Sequence, residues 1–206
     1  MHVRMDPAYC IILCTWFTIW TRMQAQAAAL PEFSGEVSSS AEHPEFQKFL
    51  INSRRLTDKI QKEIKVIQRS LVHSQYEEEK LAFMEVRLQI PKVHLKECMS
   101  RAFHLETCLG RAKAGLQMFL DHLPIVQKQS SETQEVETLK ADLRDLLNAF
   151  SQQVTIHSLP QIEYPHQPVP TFSNQFDEQI GTHIILNYMT RFMNDMYRSL
   201  RSLIRS

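Results

Sequence analysis

Cys98 and Cys108 bound the run CMSRAFHLETC and are the only cysteines, out of four, that lie beyond residue 14. Two thiols ten positions apart could hold a metal, carry redox chemistry or close a covalent loop. Zinc asks for a C-x-x-C knuckle or several close ligands. Here only His94 and His104 lie nearby, in no standard zinc spacing. A redox C-x-x-C is absent as well. The pairing that fits is a disulfide, provided the compartment is oxidising. The remaining histidines are scattered, and His94 and His183 are expected at the surface rather than as ligands or bases. No G-x-S-x-G elbow, phosphate-binding loop or H-E-x-x-H pair occurs. No catalytic residue, metal site or cofactor is therefore expected, and the chain reads as a non-enzyme.

The N-terminus supplies the compartment. In MHVRMDPAYCIILCTWFTIWTRMQAQAAALPE an apolar run of about thirteen residues, AYCIILCTWFTIW, is followed by small residues. Ala25-Gln26-Ala27 fits the A-x-A cleavage pattern of a secretory signal. The run falls short of the roughly 20 residues that a spanning helix needs. Residues 1–27 are thus expected to be a signal peptide, 28–43 a flexible lead-in and 44–206 one helical domain, with no membrane insertion after cleavage. Without the signal, 21 basic residues face 22 acidic ones, so no global field attracts nucleic acid.

Any specificity must come from local surfaces, and periodicity shows what would carry them. Segments 44–73, 104–127, 132–156 and 174–204 each repeat apolar residues at helical spacing. The first lines up Phe46, Phe49, Leu50, Ile60, Ile64 and Ile67; the second is expected to stop or kink at Pro124. Ser131 with Gln134 suggests a capping box for the third. Glu77-Glu78-Glu79 reads as a solvated loop or helix end. The connections run long, short, long, and the last, SLPQIEYPHQPVPTF, is proline-rich and stiff. A 30-residue helix is about 45 Å long, a span that about 14 extended residues cover. Two such crossovers return the chain to its starting end. The expected fold is an all-α, long-chain four-helix bundle, up-up-down-down, with two long crossover loops.

On the last helix, Arg191, Arg198, Arg201 and Arg205 project within about 80° of one another, and Asn187 and Asn194 share that strip. Arginine suits bidentate pairing with carboxylates, so the strip is a candidate partner surface. Phe176 and Ile180 also project to the polar side, near the start of this helix. They are either an interface anchor or are covered by the proline strap.

The cysteine loop with the helix behind it (LGRAKAGLQMFLDHL) and the last helix (SNQFDEQIGTHIILNYMTRFMNDMYRSLRSL) resemble interleukin-6-type cytokines, the group that also contains granulocyte colony-stimulating factor. Glu106-Thr107-Cys108-Leu109 matches the E-T-C-L end of the family's second cysteine loop, and Thr182-His183-Ile184-Ile185-Leu186 its T-H-x-I-L run. The chain looks most like a divergent interleukin-6. This resemblance implies a secreted cytokine of immune and acute-phase signalling, which binds the interleukin-6 alpha receptor and a shared signal-transducing subunit. By position it places alpha-receptor contacts on Met99, Phe103, Arg198 and Arg201, and a contact with a second signalling-receptor copy on Phe176. A third surface, on the first and third helices, is implied without assigned residues. The earlier cysteine pair of mammalian members is missing from RSLVHSQYEEEK. Two alternatives remain: a granulocyte colony-stimulating-factor-like growth factor using a homodimerised receptor, or a secreted bundle carrying an apolar ligand between its helices.

Overall fold

The computed structural model describes residues 43–71, 77–89, 92–99, 104–160 and 169–204. The expected signal segment 1–27, all but His43 of the lead-in, Phe103, Arg205 and residues 161–168 of the strap lie outside the described residues.

Five α-helices and one short 3-10 helix occur among the described residues. They are α1 (Pro44–Leu71), α2 (Glu78–Leu88), the 3-10 helix Lys96–Met99, α3 (Leu105–Gln129), α4 (Thr133–Ile156) and α5 (Gln175–Leu203). The four long helices each turn one apolar face inward, because helices are marginal alone in water and gain most of their stability by packing such a face against neighbours. Ile60, Ile64 and Ile67 of α1 meet Leu116 and Leu123 of α3, Leu139, Leu143 and Leu146 of α4, and Ile185, Met189 and Met193 of α5 in one core.

α1 packs against α4 and α5, and so does α3. Contacts between named residues give the directions. Gln61 reaches Asn194 and Gln68 reaches Asn187, so residue numbers rise on α1 as they fall on α5. Lys59 meets Asp142, Phe49 meets Phe150 and Phe46 meets His157, making α1 antiparallel to α4. Phe119 against Phe192 and Lys128 with Glu178 make α3 antiparallel to α5, and Gln127 with Glu137 does the same for the α3–α4 pair. α1 and α3 therefore run one way, and α4 and α5 the other. The up-up-down-down bundle expected from loop length is the observed one.

Three local readings change and one open reading is decided. α2 occupies what reads as loop: Glu77 is its N-cap, and Met84 and Leu88 bury its inner side. α3 continues through Pro124 to Gln129, with Leu123, Ile125 and Val126 buried around the proline. Packing on both sides holds a helix that the missing backbone donor alone would interrupt. The expected Ser131–Gln134 box does not form. Glu132 is the N-cap of α4 without a side-chain bond, and its own N–H is taken by the Ser130 hydroxyl. Of the two readings open for Ile180, cover is the observed one: it is core, only 1% exposed, with Phe172 of the strap over the adjoining Gly181 and Leu88 of α2 beside that glycine.

Candidate functional site

The disulfide forms, with Cα atoms 5.7 Å apart, between the 3-10 helix and the first turn of α3. Both cysteines are buried. They line a small void of about 30 Å³ with Leu95, Leu109, Met196 and Leu200, so the bridge is part of the core at this end of the bundle. The preceding chain is fastened to α5 as well. The Lys92 ammonium sits 5.2 Å from the Tyr188 ring centroid and 3.1 Å from Glu85, and the Ser199 hydroxyl donates to the Leu95 carbonyl at 3.3 Å. Met99 emerges from this clamp half-buried.

Arg198 and Arg201 stand exposed on the last two turns of α5. Among the described residues no carboxylate pairs with either. The strip they belong to is less isolated than the sequence implies. Asn187 and Asn194 accept from Gln68 and Gln61 of α1, both at 3.1 Å, and His183 lies 2.9 Å from Asn187. His183 is thus half-buried in the α1–α5 seam rather than a free surface residue, and burial holds its imidazole below the ordinary histidine range. The structure puts Met99 and the two arginines toward the same end of the bundle.

At the start of α5, Asn174 caps the helix by accepting the Asp177 N–H at 2.8 Å. α2 is tied to this turn. Arg87 reaches Asp177 and the Ser173 hydroxyl, both at 2.8 Å, and Lys80 lies 5.9 Å from the Phe176 ring centroid. Phe176 keeps 48% of its surface in solvent. Phe83, one turn from both Lys80 and Arg87, is 66% exposed, and Val86 beyond it is 76% exposed. Two large apolar side chains are thus exposed on the helix whose Lys80 and Arg87 reach this turn. Sequence reasoning missed Phe83 and Val86. Their signal is a Phe and a Val on the wrong face of an amphipathic run, EEKLAFMEVRL, which is visible only once that run is known to be a helix.

A third feature lies where α1 meets α4. Lys59 bridges Asp142 at 2.6 Å and Glu63 at 3.5 Å. Glu63 Oε2 and Asp142 Oδ2 are otherwise buried without hydrogen-bond partners. Burial, and then the facing Asp142 carboxylate, push the Glu63 carboxyl up from 4.5 to about 7. Further along the seam a surface groove of about 700 Å³ opens between Phe46, Phe49, Asn52, Gln153 and His157. It faces solvent and is not an internal chamber. The void of about 30 Å³ among core side chains is on the scale of a water molecule, which does not suit a carrier of an apolar ligand. Among the described residues no cluster of side chains could hold a metal, and no helix is long and apolar enough to cross a membrane.

A family model for granulocyte colony-stimulating factor matches residues 57–201, a stretch that reaches all four long helices. The chain belongs to the granulocyte colony-stimulating factor family. It is 31% identical to the myelomonocytic growth factor of Gallus gallus over 184 residues, covering 86% of this chain and 88% of that one. It is 27% identical to the granulocyte colony-stimulating factors of Bos taurus and Ovis aries over 161 residues, or 76% of this chain, and 83% and 92% of theirs. The fold class and the broader cytokine group expected from sequence both stand. The match favours the growth-factor branch named above as an alternative over a divergent interleukin-6. The protein is a secreted cytokine, not an enzyme, of a family that binds cell-surface cytokine receptors.

Proposed function

We propose that this chain is a granulocyte colony-stimulating-factor-like growth factor that signals by bringing two copies of one cell-surface receptor together. The family match across all four long helices supports the reading most directly. No chemistry is required. A rigid bundle offers two separate faces, and holding two receptors on one ligand raises the effective concentration of their cytoplasmic parts. One face is the start of α5, where Phe176 with Phe83 and Val86 supplies the exposed aromatic and aliphatic anchors that interface cores favour. The other is the α1–α4 face, with its groove and the Lys59–Glu63–Asp142 cluster. In this reading the disulfide and the Lys92–Tyr188 clamp are structural: they hold the crossover so that both faces keep their shape.

Phe176→Ala is expected to leave binding of a first receptor ectodomain intact while lowering the growth response of receptor-bearing cells about tenfold or more. Equal loss of binding and growth would argue against two separate faces. A second reading keeps an alpha receptor of interleukin-6 type, bound by Met99, Phe103, Arg198 and Arg201, with a shared signal-transducing subunit. It is favoured by one observation, the exposure of Arg198 and Arg201 without an ion pair among the described residues. Capture by a soluble alpha-receptor ectodomain, abolished by Arg201→Glu, distinguishes it from the first.

A further inference from the structure

The two-receptor reading uses the α1–α4 face and the start of α5, and it leaves the α1–α5 face without a task. That face has its own chemistry. The bonds from Gln61 to Asn194 and from Gln68 to Asn187 fix the antiparallel register of the two helices. Continued along the pair, the register sets Arg54 across from Arg201 and Lys65 across from Arg191. On a helical wheel Arg54 and Lys65 fall within about 40° of Gln61, and Arg191, Arg198 and Arg201 within about 60° of Asn194. Arg69 extends the row by one turn. Arg54 is half-buried and the other five cations are exposed. None of the six forms an ion pair among the described residues. The Arg69 Nε–H donates to the Lys65 carbonyl at 3.2 Å, which leaves the rest of its guanidinium outward. From Arg54 to Arg69 the row runs about 22 Å at 1.5 Å per residue.

The acids near the row do not neutralise it. Asp58 lies on the same side of α1 but is already paired with Lys62 at 2.7 Å. Glu63 turns toward Asp142 on α4, and Asp195, one turn from Arg191 and Arg198 at about 40° and 60° round α5, forms no ion pair with either among the described residues. The chain as a whole carries no net charge, so this is a local field and not a property of the whole surface. The row also lacks what a protein interface needs at its centre. Its neighbours are Gln61, Gln68, Asn187, Thr190, Asn194 and the half-buried Tyr197. The exposed large apolar side chain on α1, Val66, lies about 140° round the helix from Gln61 and flanks the row only at its Arg69 end. A line of cations set among amides, with no exposed aromatic and one aliphatic side chain at its Arg69 end, suits a linear polyanion held by charge and counterion release. It does not suit a folded partner held by buried hot spots.

We propose that the α1–α5 face binds a sulfated polysaccharide of the cell surface or extracellular matrix. For a secreted protein the abundant linear polyanions are sulfated sugars, and nucleic acid is out of reach. Arg198 and Arg201 contribute paired N–H donors to sulfate groups at one end of the row, Lys65, Arg69 and Arg191 act toward the other, and the Gln–Asn pairs offer hydrogen bonds to sugar hydroxyls between them. Binding there leaves Phe176 and the α1–α4 face open, so the growth factor can be held near cells and still meet its receptor.

The test is titration of the mature secreted chain onto immobilised heparin chains. Measurable binding at physiological salt is expected. A fourfold rise in salt should weaken it about a hundredfold if five cations engage, at roughly 0.7 logarithmic units per contact on a flexible polyanion. The double variant Arg198→Glu with Arg201→Glu should lose roughly tenfold or more of that affinity with unchanged melting. Arg144→Glu, an exposed cation on α4, should lose less than about twofold. Absence of binding at physiological salt, equal binding to desulfated heparin, or an equal loss with Arg144→Glu would overturn the assignment. If the double variant keeps heparin affinity but loses a purified receptor ectodomain, the arginines belong to a protein partner and the polysaccharide assignment also fails. Failure of the two-receptor reading would show separately, as absence of receptor pairing by the wild-type chain.

Discussion

Replacing Glu63 with glutamine should change how stability depends on pH, and the sign follows from the α1–α4 cluster. Glu63 and Asp142 face each other while sharing Lys59, and two carboxylate oxygens are buried without other partners. With its carboxyl raised from 4.5 to about 7, Glu63 holds in the folded chain a proton that it gives up in the unfolded one. A folded value above the unfolded value means that stabilisation is complete below about pH 4.5 and drains away as pH climbs through about 7. For a fully dry site that gap would be worth about 3 kcal/mol. Glu63 is only partly withdrawn from water, so a discounted value of about 1–2 kcal/mol is expected. In Glu63→Gln the side-chain amide keeps a donor toward Asp142 at every pH. The variant should therefore gain that amount over wild type at pH 8, about 2–8 °C in melting temperature for a domain of this size, and match it near pH 4.5. Urea melts of both proteins at several pH values measure the difference, which cancels the opposing contribution of His157 and His183, both held low by burial. Parallel pH profiles, or a variant less stable than wild type at pH 8, would refute the shared-proton argument.

Cys98→Ser with Cys108→Ser removes a ten-residue covalent loop and should cost about 2–3 kcal/mol in a urea melt while far-ultraviolet dichroism stays helical. Gly115→Val should cost about 1–3 kcal/mol, because a Cβ there collides with the Phe192 ring; Gly115→Val with Phe192→Leu should recover part of it. Phe83→Ala, at an exposed position on α2, should leave melting within about 0.5 kcal/mol and lower the growth response in the same direction as Phe176→Ala.

The bundle was legible because its determinants are long-period patterns and loop lengths. Ile60, Ile64 and Ile67 repeat too regularly to be anything but a buried helix face, and only long crossovers can return the chain between parallel neighbours. α2 was not legible. Its buried contribution is only Met84 and Leu88 with Leu81 beside them, and Phe83 and Val86 on the opposite side blur the period. Ile180 stayed undecided in the sequence, since the first turns of α5 count as solvent-facing until something packs over them. Phe176 read correctly as exposed because it lies one turn before that cover. The branch of the cytokine family was harder than the fold. The motif that carried the interleukin-6 resemblance, with Cys108 and Leu109 at its end, is core and start of helix, and such positions report architecture rather than receptor choice. The Gln–Asn ladder of the α1–α5 seam could not be inferred from either helix alone, because it depends on register between segments more than a hundred residues apart.

The central claim, one ligand holding two copies of one receptor, is tested most directly by light scattering during chromatography of the secreted chain. It would be mixed with the soluble ectodomain of the granulocyte colony-stimulating-factor-type receptor from the same animal. The account predicts a complex whose mass contains two receptor copies, reduced to a single-receptor complex by Phe176→Ala. A wild-type complex that never exceeds one receptor, or that assembles only after a second, different receptor chain is added, would contradict it.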